Sequence, residues 1–200
     1  MYQNQQSLSM TTPDLKMITL CKKHKILLQK DKNTNTFYLA FESKNKKINI
    51  PSIINFNMYE LIGKLNEDIL EDIRIVKKHN ENDVEVLFLF KQFGQEVGIQ
   101  KKFMYIRTTM EKKENQINFK SYSIPYDASE LDKIGKYEMI TSKCANLYVT
   151  IKNEHRIQLQ YVYNIDIRDE LPLYMENILG FLMKKVFYRL QKFIEKLEAE

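Results

Sequence analysis

Residues 170–200 read ELPLYMENILGFLMKKVFYRLQKFIEKLEAE, and this stretch decides how the rest of the chain is understood. Leu171-Pro172 opens it, and proline is tolerated in the first turn of a helix because its missing N–H has no partner to lose there. No proline follows, and the only glycine, Gly180, is a modest local cost. At about 100° per residue, Met175, Ile178, Leu179, Leu182, Met183 and Val186 begin an apolar face that Phe187, Leu190, Phe193, Ile194 and Leu197 complete. Asn177, Lys184, Tyr188, Gln191, Lys192 and Glu195 fill the other side. A bundle helix with so wide a face needs more than one partner helix, and a coiled-coil end would show a narrower seam. The width predicts a helix lying across a concave sheet, met by alternating residues of many strands.

Working back from that helix, the second half of the chain reads almost entirely as strands. Along 156–166, Ile157, Leu159, Tyr161, Tyr163 and Ile165 face one way, with Gln158, Gln160 and Asn164 on the other. Segments 83–90, 101–110, 117–124 and 137–152 are further strands, the last with a bulge expected near Ser142–Ala145. Gly94–Gly98 and Pro125–Lys136 are loops, and Glu111–Gln116 is a hairpin turn. The first half predicts strands at 25–29, 36–43 and 47–50. Two short helices follow, at 58–65 and 66–73, the first with Asn57 as N-cap and Glu60 placed for a capping box. Residues 1–13 read as a flexible leader and 14–200 as one domain. Antiparallel strands followed by a long amphipathic helix predict an α+β helix-grip fold: a curved antiparallel sheet around the C-terminal helix, with two short helices between strands 3 and 4.

The 200 residues suffice for a continuous core, and 44% apolar with 28% charged content is that of a soluble globular protein. The net charge of +5 is mild, yet lysines cluster at Lys22-Lys23-His24-Lys25, Lys44–Lys47, Lys101-Lys102 and Lys112-Lys113. Such runs are solvated faces or turns, or favour an anionic membrane surface at about 1 kcal/mol per well-placed cation. No nucleic-acid motif accompanies them, so nucleic acid is not an expected partner. Cys21 and Cys144 lack metal-ligand spacing, the N-terminus carries no apolar signal core, and no apolar run reaches the ~20 residues of a membrane span. The expectation is a cytoplasmic protein, peripheral to membranes at most, without metal or cofactor.

A sheet wrapped round one helix often encloses space it cannot fill. On strand 101–110, Arg107 shares a face with Phe103 and Tyr105. If that face is inward, a guanidinium is too costly to bury alone and implies a carboxylate, carbonyls, water or a ligand's polar head. If the strand's other face is the buried one, Arg107 is simply exposed.

Three blocks carry a resemblance to a known family. Lys101-Lys102-Phe103-Met104-Tyr105-Ile106-Arg107 resembles the "RDF-hydrophobic-x-x-R" strand of START domains, the steroidogenic-acute-regulatory-related lipid-transfer domains. Ser121-Tyr122-Ser123-Ile124-Pro125 is similar to the serine-rich strand end that follows it. Residues 161–172, YVYNIDIRDELP, resemble the stretch "D-x-K-G-x-(I/L)-P" that enters the family's C-terminal helix. Their order and spacing hold from about Leu15 to Leu197. The chain departs from the pattern at Lys101-Lys102, where the family has Arg-Asp, at Asp169, where it has glycine, and in lacking tryptophan altogether.

The resemblance implies a non-catalytic lipid carrier of the START and Bet v 1-like helix-grip superfamily. Its cavity would hold one lipid, a phospholipid rather than a sterol, against Phe88, Phe103, Tyr105, Leu159, Tyr161 and Tyr163 of the strands. Met175, Leu179 and Leu182 of the helix would close it, with Arg107 at the head group. Residues 94–100 and the C-terminal helix would act as the gate, and docking would be to an anionic membrane. Burying an acyl chain of a dozen methylenes is worth on the order of 10 kcal/mol, so exchange would occur against a membrane rather than through water.

Catalysis finds little support. His24, His79 and His155 sit in three distant charged contexts, and no nucleophile elbow, phosphate loop or zinc spacing occurs. The alternative to a carrier is a domain that has lost its ligand and persists as an adaptor or subunit of a larger assembly, its interior filled by Phe88, Phe90, Phe103, Tyr161 and Tyr163.

Overall fold

Alternation along β10 (Arg156–Asp166) sends Ile157, Leu159, Tyr163 and Ile165 into the interior, and sheet pairing on both its edges puts this strand near the middle of the fold. The coordinates are a computed structural model that describes residues 16–91, 101–127, 137–166 and 177–198. Around β10 lie β1 (Met17–Lys23), β2 (Ile26–Asp31), β3 (Thr36–Lys44), β4 (Leu70–Asn80) and β5 (Asp83–Phe90). The remaining strands are β6 (Lys102–Lys113), β7 (Gln116–Ser123), β8 (Glu138–Met139) and β9 (Thr141–Asn153). They form one sheet in the order β1-β2-β3-β10-β9-β7-β6-β5-β4, all neighbours antiparallel, with β8 joining β6 in parallel. Helices α1 (Ile50–Ile53) and α2 (Met58–Leu65) stand between β3 and β4, and α3 (Ile178–Lys196) closes the chain. The α+β helix-grip expectation therefore holds, including two short helices between the third and fourth strands.

The segments behind that agreement differ from the sequence reading in three places. Residues 47–50 form no strand: Asn49 caps α1 instead, its side chain accepting from Ser52 N, and Pro51 sits in the first turn. Residues 66–73 form a turn and the start of β4 rather than a second helix. Leu70 and Ile73 are three apart, which reads as helical, yet a register shift between Leu70 and Asp72 turns both to the interior of the strand. β1 escaped prediction because its two-residue hairpin turn is His24-Lys25, at φ 58° and 62°. That left-handed turn is normally signalled by Asn-Gly or Asp-Gly. The bulge foreseen near Ser142–Ala145 is present, since Asn164 pairs with Cys144 but Ile165 with Ser142.

Helix α3 meets the sheet as its apolar face requires, burying Leu179, Val186, Phe187, Leu190 and Ile194. Gln191, expected on the outer side, is buried as well, and its Nε2 donates to the Glu42 carbonyl at 2.8 Å. Asn45 Nδ2 donates to the carbonyls of Ile194 and Leu197, both at 2.7 Å. Arg189 and Lys185 bind Asp68 in the α2–β4 turn. These polar ties lie at and beyond the middle of α3. Its first turn is held by apolar packing, with Gly180 pressed against Phe37, and in the second Lys184 Nζ donates to Cys21 Sγ at 3.3 Å. The predicted start at Leu171-Pro172 and the expected leader fall outside the described residues.

Asn57 makes no side-chain cap on α2; Glu60 instead accepts from Lys64 one turn on, at 2.7 Å.

Candidate ligand-binding cavity

The strands present two apolar faces, and only one belongs to the interior. Val84 and Val86 of β5, with Met104 and Ile106 of β6, join the main core under α3. Leu87, Leu89, Phe103 and Tyr105 form a separate cluster on the reverse of the sheet, covered by Ile124, Tyr126, Tyr137 and Met139. The main core is not solid. Between the concave face and α3 it leaves a partly open cavity of about 120 Å³.

The cavity's walls follow from strand parity. β5 supplies Phe88 and Phe90, β6 Met104 and Ile106, and β7 Phe119 and Ser121. Ala145 and Leu147 of β9 and Tyr161 and Ile165 of β10 continue the floor. Met58, Tyr59 and Ile62 of α2 close one side, and Leu179, Leu182, Met183, Val186 and Phe187 of α3 form the lid. Ring contacts stiffen the wall: Tyr59 meets Phe88 edge-on at 5.7 Å, and Tyr161 packs on Phe187 at 4.9 Å.

Polar groups in this space are few. The Tyr59 and Thr108 hydroxyls hydrogen-bond at 3.0 Å, and Thr108 reaches Ser121 Oγ at 2.9 Å, making a ladder from α2 across β6 to β7. Thr108 is fully buried behind Tyr59 and Ser121. Burial raises the Tyr59 phenol above its ordinary range despite its hydrogen bonds to Thr108 and Ser121. Burial likewise raises Tyr161, with a further push from nearby Tyr59. Both tyrosines are therefore neutral at physiological pH.

Of the residues expected at a ligand, Phe88, Tyr161, Leu179 and Leu182 line the cavity. Leu159 and Tyr163 are wholly buried on the same face but lie in the packed core beside it. Met175 and the expected gate loop at 94–100 lie outside the described residues. Phe103, Tyr105 and Arg107 are placed differently from the inward expectation. They occupy the reverse face, because every residue from Phe103 to Ile106 is apolar and the strand's own pattern cannot say which set faces the helix. Arg107 pairs with Asp83 there, Nη2 to Oδ2 at 2.6 Å, and the pair holds the Asp83 carboxyl below its usual range. Tyr105 donates to Glu85, whose other oxygen meets His79 Nε2 at 2.6 Å. Burial raises the Glu85 carboxyl, but these two hydrogen bonds outweigh it and leave the group below its usual range. Sequence reasoning missed Tyr59 and Thr108, which no strand periodicity or family block picks out.

Lys101 and Lys102, which depart from the family pattern, are not part of the lining. Lys101 donates to Glu71 at 2.8 Å and lies over the Tyr137 ring, and Lys102 pairs with Glu138. His24 packs on Tyr188, while His155 Nδ1 lies 2.8 Å from the Ile48 carbonyl, so the three histidines share no site.

Among solved structures the fold has clear counterparts. The lipid transfer and protein localization domain of human StarD13 superposes with a TM-score of 0.71 at 10% identity, covering 90% of each chain. Human StAR-related lipid transfer protein 5 gives 0.68 at 7% identity, over 89% of this chain and 86% of that one. A STAR-related lipid transfer protein from Xanthomonas axonopodis gives 0.67 at 7% identity, over 89% and 98%. At such identities the likeness establishes the fold, which is START-like. No family model matches the sequence. No curated protein matches it either.

Proposed function

We propose that this protein binds one lipid molecule between the concave sheet and α3 and carries it between membranes without chemically altering it. The observation that carries the reading is the apolar cavity under α3, in a fold shared with proteins named for lipid transfer. At about 120 Å³ it is near the size of an engineered apolar cavity, about 150 Å³, that accepts benzene. A whole acyl chain therefore requires the lid to move. The distribution of ties along α3 supports such a motion: its later turns are fastened by Asn45, Gln191 and Arg189, its first turn by apolar contacts that a lipid chain can replace. Phe181, 46% exposed on the first turn, suits contact with the apolar part of a membrane surface. The altered pair Lys101-Lys102 gives no ground for preferring a phospholipid to a sterol, since both lysines are engaged elsewhere.

A second reading is favoured by the same small volume: a domain whose aromatic side chains have largely filled its interior and which serves as a protein adaptor. Transfer of a fluorescent lipid between vesicles separates the two. The carrier reading expects transfer above the spontaneous rate, lost on Ala145→Phe, which fills the cavity, while the variant still unfolds cooperatively. Transfer that never exceeds the spontaneous rate favours the adaptor.

A further inference from the structure

The cavity's few polar atoms specify what its occupant carries at the buried end. Among the described residues that line it none bears a charge, and Asn55 accepts from the Asn57 amide through its side-chain oxygen while its Nδ2 remains a donor. The remaining hydroxyls are those of Tyr59 and Ser121, backed by Thr108, and that of Tyr161.

The Tyr59–Thr108–Ser121 ladder has a definite hydrogen-bond balance. Each hydroxyl brings one proton and two lone pairs, so the cluster holds twice as many acceptor sites as donors. Its two internal bonds consume two of its three protons and two of its six lone-pair sites. What is left over is one donor against four acceptor sites, a surplus of acceptor capacity. The Tyr161 hydroxyl makes no hydrogen bond among the described residues and supplies a donor from the same wall. A ligand hydroxyl matches both, donating to the ladder and accepting from Tyr161. A ketone or ester oxygen can only accept and leaves the ladder's surplus lone pairs unused. A carboxylate or phosphate would bring an uncompensated charge into an apolar space.

We propose that the Tyr59–Thr108–Ser121 ladder is the head-group subsite of this cavity, selecting an uncharged ligand that ends in a hydroxyl group. This rests on the reading of the cavity as a ligand site and narrows its ligand from lipids at large to neutral alcohols.

The test compares probes small enough for the closed cavity: 1-pentanol, 2-pentanone and pentanoate, titrated into the full chain and followed by NMR of the cavity methyl groups. The alcohol is expected to bind about fivefold more tightly than the ketone, the yield of one net hydrogen bond. Pentanoate is expected not to saturate. Ser121→Ala and Tyr59→Phe, each checked for cooperative unfolding, are expected to remove the alcohol's advantage while leaving the ketone's affinity unchanged. Equal binding of alcohol and ketone, a variant that keeps the preference, or saturable pentanoate binding overturns the subsite but leaves the cavity reading standing. Binding by none of the probes overturns both.

Discussion

Arg107 grips Asp83 with Nε 2.9 Å from Oδ1 and Nη2 2.6 Å from Oδ2, a two-point ion pair on the face of β6 turned away from the cavity. The neighbouring Glu85 is taken up by Tyr105 and His79 in the same way, so the charges of this face answer one another. The arginine that the sequence offers as a head-group contact is thus paired with a carboxylate on the far side of the sheet from the cavity. Arg107→Gln is expected to leave the affinity for a bound lipid within about twofold of the parent, since no hydrogen bond to the ligand is lost. A larger loss, measured by titration with a fluorescent lipid, would mean that the guanidinium reaches the ligand.

Gly180 is fixed by its neighbour rather than by its backbone. A Cβ there would lie 2.7 Å from two ring atoms of Phe37, which is itself fully buried and stacked on Tyr163 at 5.3 Å. Gly180→Val should lower stability by about 2 kcal/mol, the scale of overpacking in a rigid core. A urea midpoint at or above the parent's would contradict this packing.

Tyr163 has a buried hydroxyl with no partner among the described residues, and burial drives its phenol well above the ordinary range. An unsatisfied buried hydroxyl costs about 1–3 kcal/mol. Tyr163→Phe should therefore raise stability by about 1 kcal/mol in denaturant unfolding. Destabilisation would show that the oxygen is satisfied after all.

Asp68 ties α3 to the α2–β4 turn, and hydrogen bonds from Arg189, then Lys185, hold its carboxyl far below the usual range. A depressed carboxyl stabilises the fold above its unfolded pKa of about 4, and that contribution is lost as pH falls toward the folded value. The group is half exposed and screened, so the loss is about 1 kcal/mol or less. Asp68→Asn should make stability fall less steeply between pH 5 and pH 2, read from urea midpoints of both proteins. Amide exchange in α3 at neutral pH should also quicken in the variant. Parallel pH profiles and unchanged exchange would rule out the tie.

How much of this was legible in the sequence depends on how local the deciding contact is. β10 declares itself, because five alternating apolar residues from Ile157 to Ile165 leave one register, and the wide apolar face of α3 announces the curved sheet it needs. β4 does not, because the bulge that brings Leu70 and Ile73 to one side imitates helical spacing. β6 is ambiguous for another reason. Phe103 to Ile106 are apolar without a break, and Tyr126, Ile124 and Tyr137, distant in sequence, cover the face carrying Phe103 and Tyr105. Parity then decides everything downstream, and with it Arg107 falls on the face opposite the cavity. The hydroxyl ladder joins three elements through single residues; Ser121 falls in the serine-rich block, but Tyr59 and Thr108 carry no sequence signature.

Native mass spectrometry of the protein purified without detergent tests the central claim most directly. The account predicts a population carrying one added mass per chain, extractable into organic solvent as a neutral, hydroxyl-bearing lipid and absent from Ala145→Phe. A chain that stays at its bare mass, even after incubation with vesicles that contain such lipids, would contradict it.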